Sequence, residues 1–235
     1  MPNWVKNKVY IENKNVIKEC LVKEEDNEYF DFNKVIPMPK SLDLTSGSIT
    51  NISVVYAISK MLEQEQEKII NQLKSKPCMF YQNYYNKYFE YKDRYTKEVF
   101  DKENERLIEE IKDKDLYKEL NIKDLEDLGN TYIKNIIEYG CDNWYDWCVE
   151  NWGTKWNASD TYYIDENNIE FETAWSMPYE ILKAISEIWD TKVICAYADE
   201  DIGNNCGTTI FEKGKEVSDI LGDRDFALDI WGYDE

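Results

Sequence analysis

Apolar residues recur at different spacings along the chain, and the spacing predicts which structure each region forms. In residues 4–12, Val5, Val9 and Ile11 lie on one side of an alternating pattern, which is typical of a half-buried strand. Apolar residues at helical spacing predict a short helix over 15–22. Residues 29–39 are predicted to be extended because two prolines close that segment.

The spacing becomes helical over residues 52–139, where apolar side chains recur every three or four positions. This pattern predicts three or four helices. A further helix is predicted over 143–152, because Trp144, Trp147, Cys148 and Trp152 fall on one face. Gly153 is expected to end that helix.

The segment after Gly153 returns to alternation and predicts a hairpin. Residues 154–164 and 169–175 are its two strands, joined by a turn of acidic and amide residues. A helix over 178–189 follows, with Ser176 as the predicted N-cap and Pro178 in the first turn.

Residues 192–198 and 207–213 predict a second hairpin, and the apolar tail over 215–235 is expected to pack on the sheet or on the helical region. The element order is that of an α+β ferredoxin-like βαββαβ sandwich with an added edge strand and a large helical insertion. We therefore predict a split ferredoxin-like domain over 1–51 and 140–235, with the insertion over 52–139.

Three motifs carry a resemblance to a known family: Asn-Trp-Gly-Thr-Lys-Trp-Asn-Ala over 151–158, Thr-Ala-Trp-Ser-Met-Pro over 173–178, and Tyr-Ala-Asp-Glu-Asp-Ile-Gly over 197–203. Together they resemble the YubB-like family of plasmid- and phage-borne proteins with a ferredoxin-like domain. Segments 2–9 and 32–39 are similar to that family too. The resemblance implies the fold and an origin in a mobile genetic element, and it implies no reaction, cofactor or catalytic residue.

The chain is strongly acidic, with a formal net charge of −20 from 48 acidic and 28 basic residues. This charge disfavours direct binding to nucleic acid or to an anionic membrane, since both are polyanions. One interpretation is that the charge serves solubility, and the other is that part of the surface imitates nucleic acid. No apolar stretch is long enough to cross a bilayer and no basic leader is apparent, so a cytoplasmic location in a bacterial host is expected.

The residue types needed for many catalytic sites are missing from the sequence. It has no histidine, which excludes Ser-His-Asp and Cys-His pairs, and it has no Cys-x-x-Cys pair or phosphate-binding glycine loop. We therefore expect no cofactor. Asp199 and Asp201 are weak metal candidates in a turn that partly imitates a calcium loop, but Gly203 is displaced and Ile210 replaces the terminal glutamate.

One group of residues is the candidate for a ligand pocket, because the first hairpin brings the two tryptophan motifs together. Its members are Trp152, Lys155, Trp156, Glu172 and Trp175. A lysine near Glu172 and Asp160 could act in acid–base chemistry, but a cross-strand ion pair is the more common arrangement. The tryptophans likewise have packing as their alternative role.

The combined pattern favours a non-enzymatic protein of a phage or plasmid that binds a protein with a basic surface. The most specific version is a counter-defence inhibitor of a host nuclease of the CRISPR or restriction type. Carboxylates of the helical region would then pair with the target's lysines and arginines, and the candidates are Glu63, Glu65, Glu67, Glu105, Glu109 and Glu110. The alternatives are an enzyme or small-ligand sensor that uses the tryptophan–lysine pocket, and a structural component of a mobile element.

Overall fold

The computed structural model describes residues 3–24, 27–44, 48–74, 102, 105, 106, 109 and 122–233. Much of the predicted helical insertion, including Glu110, lies outside these residues. The chain divides into two compact units. One, which we call the sheet unit, comprises Met1–Met38 and Cys148–Glu235, and the other, the helical unit, comprises Pro39–Trp147. The predicted division after residues 51 and 139 remains a prediction.

The described chain contains both helices and strands, and its helices between Ser48 and Trp152 follow one another without a strand among the described elements. In chain order they are β1 (Trp4–Ile11), α1 (Val16–Cys20), β2 (Leu21–Glu24), β3 (Asn27–Phe30), α2 (Ser48–Lys60), α3 (Glu63–Lys74), α4 (Ile122–Tyr139), α5 (Trp144–Trp152), β4 (Ser159–Tyr163), β5 (Asn168–Ala174), α6 (Tyr179–Ile188), β6 (Val193–Asp199), β7 (Cys206–Glu212), β8 (Lys215–Leu221) and α7 (Arg224–Trp231). Short 3-10 turns cover Phe32–Lys34 and Lys40–Leu42.

The main sheet has six antiparallel strands in the order β4-β5-β1-β6-β7-β8. Its first four strands, with α5 before β4 and α6 between β5 and β6, have the connectivity of a ferredoxin-like βαββαβ unit. The predicted α+β ferredoxin-like fold is therefore confirmed. β2 and β3 pair separately as a small hairpin.

The alternation in β1 assigns its side chains to the two faces of the sheet. Val5 and Val9 are buried on one face, and Asn7 lies buried between them. Lys6 and Lys8 project from the opposite face, since successive side chains of a strand point to opposite sides. The central strand therefore presents a buried apolar side and a basic side.

The tail forms an additional strand, which the sequence pattern did not predict. β7 was expected at the edge, but β8 pairs with it and takes the edge position. Lys213 and Gly214 join the two strands with φ of 51° and 70°, as a two-residue type I′ hairpin turn requires. α7 then packs on the sheet, where the Trp231 Nε1–H donates to the carbonyl oxygens of Ala198 and Asp199, both at 3.1 Å.

The predicted extended segment 29–39 contains a 3-10 turn over Phe32–Lys34. Two other predicted boundaries differ from the observed ones because long-range contacts override local spacing. The predicted helix over 15–22 ends at Cys20, since Leu21 and Val22 pair with β3 instead. The predicted strand from Thr154 begins at Ser159. The segment before it is held outside the sheet by Asn157, whose Oδ1 accepts the Phe32 N–H at 2.8 Å.

The helical unit is organised around contacts between α2 and α4. Its core is apolar and consists of Val54, Val55, Ala57, Ile58, Ile70, Tyr132, Ile133 and Ile136. The two helices meet closely at Gly129, where a Cβ atom would lie 1.9 Å from the Ser53 carbonyl oxygen. Among the described helices, none is both long enough and apolar enough to span a membrane.

Candidate ligand-binding site

Hydrogen bonds join the loop after α5 to the loop after β5, and these loops carry the two tryptophan motifs. The Thr154 hydroxyl donates to the Ala174 carbonyl at 2.8 Å, and the Ser176 hydroxyl donates to the Gly153 carbonyl. Ser176 was predicted to cap α6, but its side chain makes this bond instead, and α6 has no side-chain N-cap bond. The motif residues therefore position the two loops relative to each other.

A buried polar side chain of β1 supports this junction from the sheet. Asn7 Nδ2 donates to Thr173 Oγ1 at 2.8 Å and to the Val5 carbonyl at 2.9 Å, and all of its surface is buried. The Thr173 hydroxyl in turn donates to the Ser176 carbonyl at 2.7 Å. Buried polar groups of this kind stabilise a unique arrangement only when their hydrogen bonds are made, as they are here.

Gly153 is required at the end of α5 by both its conformation and its surroundings. Its φ is +78°, and a Cβ atom would lie 2.9 Å from the Tyr179 backbone nitrogen. A residue with a side chain is disfavoured at positive φ, and here it would also press on the start of α6. Gly153 therefore ends α5, as predicted, and also allows the close approach of α6.

Four side chains meet where the two loops join and form what we call the aromatic–lysine cluster: Trp4, Lys155, Trp156 and Trp175. The Lys155 ammonium lies 4.5 Å from the ring centroid of Trp156 and 4.9 Å from that of Trp175. The Trp4 and Trp156 centroids are 5.9 Å apart. These separations place the ammonium in favourable cation–π contact with two indoles.

Trp175 has an unusual backbone for a bulky residue, with φ of +74°. Neighbouring polar groups fix it there. Its N–H donates to the Asn3 carbonyl at 2.9 Å, and its own carbonyl accepts from Asn205 Nδ2 at 3.0 Å. The side chain is still 42% exposed. Of the four side chains of the cluster, Trp175 is the most exposed and thus the most accessible to a ligand. Residues with a strained backbone held by neighbouring groups often occur at ligand sites.

Trp152 does not join the cluster. It is buried, its indole N–H donates to the Ile36 carbonyl at 2.9 Å, and its ring packs edge-on against Phe32. Of the five predicted pocket residues, the structure therefore groups Lys155, Trp156 and Trp175, while Trp152 belongs to the core.

Glu172 lies in β5, opposite Lys6 of β1 and Ser159 of β4. Burial raises the pKa of Glu172, the charge of Asp160 raises it further, and Lys6 lowers it. The Lys6 ammonium also lies 5.2 Å from the centroid of Trp231. The lysine that influences Glu172 is therefore Lys6, whereas Lys155 is engaged by indoles.

Asp199 and Asp201 form a hydrogen-bonded hairpin turn. Asp199 Oδ1 accepts the Asp201 N–H at 2.8 Å and an Asn3 amide hydrogen at 3.3 Å, and Asn205 donates to Oδ2. Asp201 accepts from Asn204. Within the described ranges, no group of three or more histidine, cysteine or acidic side chains is arranged to hold a metal ion.

The predicted acidic binding residues belong to the helical unit. Glu65 is exposed, and its carboxylate accepts the Leu62 N–H at 3.3 Å at the start of α3. Glu67 is half-buried in α3, and Glu105 and Glu109 are exposed. The Glu63 side chain and Glu110 lie outside what the structure describes.

The pocket prediction missed Trp4 and Lys6, which contribute to this end of the sheet. Both lie in the first strand, far in sequence from the tryptophan motifs. The alternating pattern of β1 could have indicated that Trp4 and Lys6 share its more polar face. Which residues lie next to them is set by strand pairing, which places Trp4 opposite Ala174 and Lys6 opposite Glu172.

Comparison with known proteins supports a ferredoxin-like fold for the C-terminal part of the chain. Residues 151–235 match a family model described as the ferredoxin-like domain in Api92-like protein. This segment is therefore similar to that domain. A crystal structure of a protein api92 from Yersinia pseudotuberculosis aligns with 95% of this chain and 98% of that chain, at 10% identity and a TM-score of 0.36. A score this low supports no inference. No curated protein matches the sequence.

Proposed function

We propose that the chain is a non-enzymatic, acidic binding protein that docks on a partner protein with a basic surface. The observation that carries this proposal is the net charge of −20. Among the described residues of the sheet unit, ion pairs engage the carboxylates of Glu28, Glu166, Glu180 and Glu212. A large acidic excess is left for an external partner.

The chemistry of the sheet unit is also better suited to binding than to catalysis. Burial raises the pKa of the Cys20 and Cys148 thiols to about 12, which makes them poor nucleophiles at neutral pH. The Lys155 ammonium lies over two indole faces, 4.5 Å and 4.9 Å from the ring centroids, in contacts of the kind that bind cations. The two thiols are therefore not poised for nucleophilic chemistry.

The specific form of the proposal is a counter-defence inhibitor encoded by a phage or plasmid and acting in the bacterial cytoplasm. The mobile-element origin in this proposal is supported by the resemblance of the sequence motifs to the YubB-like family. The protein would occupy the basic nucleic-acid channel of a CRISPR or restriction nuclease, with Glu65, Glu67, Glu105 and Glu109 among the contacting residues. Charge repulsion argues against direct binding to nucleic acid or to an anionic membrane.

The test is inhibition of purified CRISPR and restriction nucleases, measured as DNA cleavage at low and high salt. We expect inhibition that is relieved by added DNA and weakens as salt rises, since the Debye length falls from about 30 Å at 0.01 M to about 10 Å at 0.1 M. Binding that is indifferent to salt would contradict charge mimicry.

A second candidate function, a small-ligand sensor or enzyme, is favoured by one observation. The partly buried Glu172, whose pKa is raised, lies near the end of β5, just before the strained and exposed Trp175. Perturbed carboxylates and strained residues recur at functional sites. A small-molecule screen monitored by tryptophan fluorescence tests it: a ligand that quenches the wild type but not Trp175→Phe would support this function.

A further inference from the structure

An open groove runs between the β2–β3 hairpin and the outer edge of β4, within the sheet unit. Its volume is about 890 Å³. The lining consists of Glu24, Glu28, Tyr29, Ala158, Ser159, Asp160, Thr161 and Tyr162. We call it the acidic groove, because three of these side chains are carboxylates and none is basic.

The walls of the acidic groove are held by hydrogen bonds between the two elements. The Phe30 N–H donates to Thr161 Oγ1 at 3.3 Å, and the Asp31 carboxylate accepts from Asn157 Nδ2 at 2.8 Å. β4 is an edge strand of the main sheet, and no strand of the described chain pairs with its outer edge. The groove is therefore bounded by an edge that is open to a partner.

Of the three carboxylates that line the groove, one has a basic side chain of the described chain within 4.0 Å. Glu28 pairs with Lys23, with nitrogen and oxygen 3.0 Å apart. Glu24 accepts the Tyr29 hydroxyl at 3.1 Å, and neither it nor Asp160 has a basic side chain within 4.0 Å in the described chain. Three carboxylates thus face one lysine, which leaves an acidic surface that a cation would complement.

Two tyrosines line the groove together with these carboxylates. Tyr162 is 63% exposed and Tyr29 is half-buried. Aromatic faces next to carboxylates are suited to lysine and arginine, because the ring quadrupole and the negative charge both attract a cation. An apolar helix would find little apolar surface in this groove.

The backbone of β4 indicates how an occupant would be held. The register with β5 shifts between Ser159 and Tyr162, and Asp160 has φ of +42°. Such a bulge interrupts an edge and discourages the addition of a continuous strand. Recognition through side chains therefore fits this edge better than a backbone ladder.

We propose that the acidic groove binds lysine or arginine side chains on an extended segment of the basic partner. This inference rests on the proposed function and adds a contact surface on the sheet unit to the carboxylates proposed on the helical unit. The groove lies within the size range of sites that hold drug-sized ligands, which suits a short peptide segment. Cationic side chains would lie between Glu24 and Asp160, against the rings of Tyr29 and Tyr162.

The experiment measures binding of a fluorescent peptide of alternating lysine and serine to the full chain at low and high salt. The groove variant is Glu24→Gln/Glu28→Gln/Asp160→Asn, in which asparagine tolerates the positive φ of position 160. The control variant, Glu187→Gln/Asp190→Asn/Asp225→Asn, removes the same charge from exposed carboxylates of other elements and also changes a positive-φ aspartate, Asp190. Circular dichroism checks that all three proteins fold.

We expect the groove variant to bind the lysine peptide about tenfold more weakly than the wild type, equivalent to about 1.4 kcal/mol. The control variant should stay within about twofold of the wild type, since distant charges are screened. A peptide of alternating glutamate and serine should not bind. Equal losses in the two variants would overturn the groove but leave a basic partner standing. A wild type that binds no basic peptide at low salt would overturn the proposed function as well.

Discussion

The aromatic–lysine cluster and the acidic groove both involve the loop and strand after α5, but they use charge in opposite ways. In the cluster, the Lys155 ammonium is enclosed by the protein's own indoles. In the groove, Glu24 and Asp160 have no basic partner in the described chain. The conspicuous motif residues thus contact one another, whereas two of the three carboxylates that line the groove have no basic side chain within 4.0 Å among the described residues.

This difference leads to separate expectations for the tryptophan motifs and for the groove. Close contacts and hydrogen bonds fix the two motif loops relative to each other. They involve Gly153, Thr154, Thr173 and Ser176. Changes at these positions should therefore act on stability. Changes in the groove should act on binding.

Replacing Gly153 by alanine should give the largest loss of stability among these changes. We expect a loss of about 2–4 kcal/mol in the free energy of unfolding, from the left-handed conformation and from crowding against the Tyr179 nitrogen. Urea denaturation measures it. Gly232→Ala is the matched control, because its φ is +71° but nothing lies within 4 Å of the added Cβ. Equal losses at both positions would show that crowding at Gly153 is unimportant.

Lys155→Met should have a smaller effect, because it removes the cation and keeps much of the apolar stem. A loss of about 1 kcal/mol is expected from the two cation–π contacts. Urea denaturation followed by tryptophan emission measures both stability and the indole environment. Lys155→Arg is the control and should retain most of the stability. A methionine variant as stable as the wild type would indicate that the cation contributes nothing.

Glu172→Gln should give the smallest effect, visible in its pH dependence. Burial, then Asp160, raises the pKa of Glu172, so the folded state holds this proton more tightly than the unfolded state. The stability gained from protonation is complete below the ordinary glutamate pKa and is lost as pH rises through the folded pKa. The variant should therefore gain stability over the wild type at neutral pH, with the difference shrinking in acid.

Unfolding free energies of both proteins across this pH range measure the difference. Asp160→Asn tests the cause of the raised Glu172 pKa, because it removes a groove charge that acts on Glu172. It should lower the Glu172 pKa in an NMR titration of the wild-type glutamate. An unchanged pKa would show that the groove and the face bearing Glu172 are electrostatically independent.

Much of the fold could be predicted because strands and helices leave periodic patterns. The alternation of β1 and β5 and the helical spacing of α6 predicted these elements close to their observed bounds. β8 was missed although its turn ends in glycine. Its side chains are mostly exposed, so its pattern lacks the buried face that identifies a strand.

The candidate site was predicted only in part, since its residues come from distant segments. The hairpin signal brought Lys155 and Trp175 together, and the aromatic face of the predicted helix over 143–152 indicated that Trp152 packs in the core, as it does. The pattern could not show that Lys6 faces Glu172. The acidic groove left no motif, because Glu24, Glu28 and Asp160 are ordinary surface residues until the small hairpin lies beside β4.

Composition and local periodicity are enough to give the net charge, the lack of histidine chemistry and the order of the main elements. The partners of Lys155 and Lys6, the edge position of β8 and the groove became apparent from the folded structure. Those features depend on strand register and on contacts between distant segments, such as Asn7 with Thr173, which lie 166 positions apart in the chain. Local spacing carries no information about such pairings.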